Sequence, residues 1–116
     1  MRPPAESFLP LKPDVFEVLL ALADGELHGY GILKVLESRA ITIAASLLYR
    51  KLRRLMEDGL VTESSVRRSE AEDARRRYYR LTPLGLAVVR AEATRIVELA
   101  RNRHVRKLAE HEARHA

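Results

Sequence analysis

His111, Glu112 and His115 spell out HExxH near the end of the chain, the pattern in which two histidines one helical turn apart hold zinc while the glutamate polarises a water. His104 would fall on the same helical face. A hydrolytic site also needs a further ligand and a substrate cleft around the ion, and His115 is followed by a single residue. The triplet is therefore expected to be a polar helix end, with no metal and no catalytic role.

The second set of residues is cationic. Arg50, Lys51, Arg53 and Arg54 form one knot, and Arg75, Arg76 and Arg77, with Arg80 just beyond, form another. Guanidinium forks match phosphate oxygens and the O6/N7 edge of guanine, so two such knots suggest a polyanion. The charge is unevenly placed. Residues 1–43 hold four basic against six acidic side chains, residues 44–80 ten against six, and residues 81–116 seven against four, which together make the net charge of +5. The middle of the chain is where a nucleic acid would be held. A third candidate, His28, stands beside Gly29 at the start of a helical pattern and is expected to hydrogen-bond there rather than to sense pH or a metal.

The elements that position these residues can be read from periodicity and punctuation. Beyond a proline-bearing lead-in (Pro3, Pro4, Pro10), Pro13 opens a largely buried helix over 13–23, closed by Asp24 and Gly25. A second helix over 29–38 carries Ile32, Leu33, Val35 and Leu36, and Gly29 and Gly31 point to close packing at its start. Ala40 to Ile43 reads as a brief strand or extended turn, with Thr42 able to cap the next helix. That third helix, 44–58, aligns Leu48, Leu52 and Leu55 on one face. Ser46, Arg50 and Arg53 lie opposite, with Tyr49 at the flank and Gly59 as the stop. Strands over 60–66 and 76–81 enclose a charged stretch and form a β-hairpin, with Tyr79 facing the core and Tyr78 outward. Thr82 and Pro83 then start one helix over 83–110, roughly 42 Å long. Residues 111–116 are a frayed tail.

A chain of 116 residues has room for one domain, which excludes a multi-domain enzyme. Without cysteine it has no disulfide, CxxC or thiolate zinc site, in keeping with a cytoplasmic protein. No apolar run approaches a membrane span, and the first ten residues lack the apolar centre of a signal peptide. Neither a membrane partner nor a cofactor is expected. A domain this small has little core, and the 83–110 helix is longer than that core can cover. A second copy would supply the missing contact, with Phe16, Leu19, Val89, Ile96, Leu99 and Ala100 in the seam.

Helix, helix, short strand, helix, hairpin is the order of a winged helix-turn-helix domain, occupying 13–82 after a lead-in of 1–12. The fold class expected is mostly α with a small β-hairpin, plus a long C-terminal dimerisation helix. Both cationic knots fall on its DNA-facing parts: Ser46, Tyr49, Arg50, Arg53 and Arg54 on the third helix, and Arg75, Arg76 and Arg77 on the hairpin tip. These eight are the candidate contacts to double-stranded DNA. The competing class is a winged-helix adaptor that binds proteins and no operator.

Three stretches carry a resemblance. LLALADGELHGYGILKVLE (Leu19 to Glu37), SLLYRKLRRLMEDGLV (Ser46 to Val61) and RRRYYRLTPLG (Arg75 to Gly85) are similar to the characteristic segments of the PadR family of bacterial transcriptional regulators. The resemblance implies a homodimeric repressor that holds an inverted-repeat operator. Its C-terminal helix dimerises on the partner's N-terminal helix, and an effector, such as a small molecule at the dimer interface, releases it. This chain departs from many relatives at two points. Ala44, Ala45, Ser46 and Leu47 replace a Ser-Pro-Gly-Thr type start of the recognition helix, with Arg50 in place of a proline, and there is no tryptophan to line a dimer pore.

Overall fold

The structure, a computed structural model, describes residues 4–64 and 77–115, with side chains to His111. A 3-10 turn at Ala5–Phe8 precedes α1 (Pro13–Leu22), β1 (Leu27–His28), α2 (Gly29–Ser38), α3 (Ala45–Glu57), β2 (Val61–Ser64), β3 (Tyr78–Leu81), α4 (Pro83–Arg101) and α5 (Arg103–His115). Proline at the first position of α1 and of α4 starts both helices as expected, and Thr82 caps α4 by accepting the Gly85 N–H at 3.0 Å. Val18, Leu19 and Leu22 of α1 meet Ile32 and Leu36 of α2, Leu48, Leu52 and Leu55 of α3, and Val88 and Val89 of α4 in one core. Leucines at spacings of four and three put one stripe of α3 inside and leave its arginines outside.

The sheet has three strands in the order β1-β3-β2. The hairpin pairs Val61 with Leu81 and Ser64 with Tyr78, and Tyr79 points into the core at 3% exposure. Residues 65–76, including Arg75 and Arg76, lie outside the described residues. β1 was not foreseen: Leu27 and His28 pair antiparallel with Tyr79 and Tyr78, and two residues are too few to show a period of two.

Three sequence expectations are corrected. Of the two readings of Ala40 to Ile43, the strand does not form and the turn does, because its first residue ends α2. Ala40 takes the left-handed conformation (φ 62°), its N–H bonds the Glu37 carbonyl at 2.9 Å, and the Ile41 N–H bonds that of Leu36 at 2.9 Å. This is the Schellman arrangement. Gly59 (φ 79°) closes α3 the same way, with Leu60 N–H on the Leu55 carbonyl at 2.9 Å. Alanine is strained there where glycine is not, so Ala40→Gly is expected to stabilise the protein by about 0.5–1 kcal/mol in denaturant unfolding, after the extra chain entropy of glycine. Second, Thr42 does not cap α3. Ala44 occupies the N-cap position, with no side-chain hydrogen bond.

Third, the single helix over 83–110 is two, and the second runs on to His115 in place of a frayed end. Asn102 leaves helical geometry (φ −64°, ψ 132°), and its Oδ1 accepts the N–H groups of His104 at 2.9 Å and Val105 at 3.2 Å. Asparagine is a strong N-cap because its short carbonyl satisfies the free donors of a first turn. The apolar period running from Leu99 to Leu108 conceals that signal.

Glu92 of α4 is 1% exposed and accepts the Leu11 N–H at 2.6 Å, while its other oxygen pairs with Arg95. The lead-in is thereby tied across α4. The Arg95 guanidinium, with help from the Leu11 N–H, holds the Glu92 carboxyl below its ordinary pKa against the opposing effect of burial. A depressed carboxyl pKa stabilises the fold above the unfolded-state value, and that stability is lost as pH falls through the folded-state value. Glu92→Gln is therefore expected to lower Tm by about 4 °C at pH 7. The gap from wild type should close on acidification below about pH 4.

Candidate nucleic-acid interface

α3 sorts its cations by direction. Ser46, Arg50 and Arg53 are exposed on the side opposite the buried leucines. Lys51 turns the other way and forms an ion pair with Asp14 of α1; its side chain is only 19% exposed. The Asp14 pKa is lowered, chiefly by the hydrogen bond from Lys51. One member of the first knot is thus a structural cation. Arg54 is exposed and lies 3.4 Å from Asp58, one turn on. Among the described residues neither Arg50 nor Arg53 has an ion pair within 4 Å.

Tyr49, 45% exposed, is fixed by its neighbour α2. A Cβ at Gly29 would collide with the Tyr49 hydroxyl, so the glycine expected to pack closely does so against α3. His28 holds α2 from the other side. Its Nδ1 accepts the Gly31 N–H at 2.8 Å as the helix cap, and its ring meets that of Tyr78 edge-on at 5.4 Å. The hydrogen-bonding role expected for His28 is therefore seen, and it joins the start of α2 to the sheet.

Between α3, the start of α2 and β3 lies an open cleft of about 460 Å³ lined by His28, Tyr30, Tyr49, Arg53, Met56 and Arg77. It brings a residue of each cationic knot, Arg53 and Arg77, to one surface. Arg77 is exposed and 3.5 Å from Glu63 across the hairpin. Arg80 points elsewhere, into a groove beside Thr62 and Pro83. Tyr30 was missed in the sequence. It is 61% exposed, with the Lys34 ammonium 5.2 Å from its ring centre. The HGY triplet was the available signal, but nothing in a single sequence says which way that ring points.

The six seam candidates divide. Leu19 is 0% and Val89 5% exposed within one protomer, so both are used in its own core, where α1 packs on the first half of α4. Phe16 is half-buried, and Ile96, Leu99 and Ala100 are exposed. Val97, Val105 and Leu108 continue the exposed apolar surface onto α5. His111 is exposed, and no group of three metal-ligating side chains occurs among the described residues. No described helix is long and apolar enough to cross a membrane.

The family described as "Transcriptional regulator PadR-like family" matches residues 18–91. The chain is 35% identical over 85 residues to the transcriptional regulator Rv3488 of Mycobacterium tuberculosis, covering 72% of this chain and 76% of that protein. A PadR family transcriptional regulator from Eggerthella lenta DSM 2243 superposes with a TM-score of 0.64 at 31% identity, over 91% of this chain and 85% of that one. Bacillus subtilis PadR, solved in complex with operator DNA, has a TM-score of 0.59 at 22% identity over 71% of this chain and 46% of that one, a likeness of fold. With its outward arginines, its hairpin and the family match over most of its length, the chain belongs to the PadR-like family of transcriptional regulators and is a winged-helix DNA-binding protein, not an enzyme.

Proposed function

We propose that the protein is a homodimeric, sequence-specific repressor that places α3 in the major groove of an inverted-repeat operator. The hairpin, through Arg75, Arg76 and Arg77, lies on or near the phosphates. The observation that carries this reading is the outward face of α3: Ser46, Arg50 and Arg53 stand exposed together, while Lys51 is withdrawn into an ion pair. A helix fits the major groove, where base edges carry a distinguishable code, and the N-terminal half of a recognition helix is what usually meets them. That Bacillus subtilis PadR was solved on operator DNA supports double-stranded DNA as the partner. The exposed stripe of Ile96, Leu99, Ala100, Val105 and Leu108 supports a second copy as its cover. A small-molecule effector at that interface, releasing the operator in the cytoplasm, completes the proposal by family likeness.

Selection of bound fragments from genomic DNA, followed by footprinting, tests it. A protected inverted repeat is expected, with half-site centres about one helical turn (~10 bp) apart and affinity falling steeply with salt. An adaptor would give no footprint and no such salt dependence.

A further inference from the structure

The leading end of α3 exposes one large apolar side chain. Ala44, Ala45, Ser46 and Leu47 all face solvent, and Leu47 is 37% exposed. Leu47 is not part of the core stripe: it stands about 100° around the axis from Leu48, on the flank it shares with Arg50 and Arg54. No acidic residue occurs from Ala44 through Met56, while Arg50, Arg53 and Arg54 follow within two turns. A protein partner for this apolar patch would have to tolerate those three guanidinium groups. A polyanion is attracted by them, and the one large apolar group that a DNA major groove offers is the thymine C5 methyl. The same segment is where the chain departs from the Ser-Pro-Gly-Thr type start of many relatives.

We propose that Leu47 reads a thymine methyl group, so that each half-site carries thymine where α3 enters the groove, with Arg50 and Arg53 on the neighbouring base edges. This rests on the reading of α3 as the major-groove helix, and the test separates the two. Duplexes bound by the full chain are selected from random sequence, and each half-site thymine is then replaced by deoxyuridine, which removes only the methyl. Burial of one methyl corresponds to about fourfold in affinity. Replacement in both half-sites is therefore expected to weaken binding about 15-fold at the thymine that faces Leu47. Leu47→Ala, shown to be folded by its melting curve, should weaken binding to the thymine duplex and abolish the difference between thymine and deoxyuridine there. Indifference of every half-site thymine to deoxyuridine, or full discrimination retained by Leu47→Ala, overturns the inference and leaves operator binding standing. Failure to select any duplex, with no salt-dependent binding, overturns the major-groove reading and this inference with it.

Discussion

Arg53→Ala is expected to weaken binding to the selected operator by about 5- to 150-fold for each half-site, the range of one bidentate base contact, while non-specific binding changes far less. Arg53 is the cation on the outer face of α3 that also lines the cleft toward the hairpin, and no described acid neutralises it within 4 Å. Arg77→Ala should behave differently. Its guanidinium stands at the base of the hairpin, exposed and only loosely paired with Glu63 at 3.5 Å. A phosphate contact carries no sequence information, so specific and non-specific affinity should fall together, and the slope of log K against log salt should shrink by about 0.9 for each protomer, or about 1.8 for the dimer. Lys51→Ala supplies the contrast within a single helix. With its ammonium committed to Asp14, that variant should lose some stability and keep the sequence preference of the parent. Electrophoretic or anisotropy titrations at several salt concentrations separate the three outcomes. An Arg53→Ala protein that binds the operator like wild type would remove the outer face of α3 from the interface.

Gly85→Ala is expected to lower stability by about 3 kcal/mol and Tm by about 10–15 °C. A Cβ at this position would overlap the backbone carbonyl of Leu60, which already accepts the Thr82 N–H at 3.0 Å. The contact is with main chain, so no rotamer change relieves it. Either α4 lifts from the end of α3 or the Gly59–Leu60 turn moves. Both are tied to Thr82, whose hydroxyl donates to the Gly59 carbonyl at 2.5 Å and accepts from the Gly85 N–H at 3.0 Å. The glycine thus fixes the angle at which α4 leaves the winged domain. A thermal melt measures the loss. A Gly85→Ala protein with wild-type Tm would mean that this close approach relaxes at no cost.

Much of the molecule is written locally. Pro13, the Thr82–Pro83 pair, Gly59 and the 48-52-55 leucine stripe each act through the backbone or the helical period, and each is where it was expected. Two helix ends were missed because the local signal was absent or masked. Ala40 lacks the glycine that marks a left-handed cap, and Asn102 sits inside an apolar period that continues past it.

The sequence by itself determined the order of elements, the inward face of α3 and the concentration of cations in the middle of the chain, because these depend on residue type and on spacings of one or two turns. Only the tertiary structure decided which cations and which apolar residues remain exposed. Lys51 and Arg53 both lie off the leucine stripe, and they are told apart by Asp14, 37 residues before Lys51 and brought to it by the packing of α1. Leu19 and Ile96 are both apolar helix residues, and they are told apart by what covers them: α1 and the first half of α4 close on each other, and the later turns of α4 extend beyond that core.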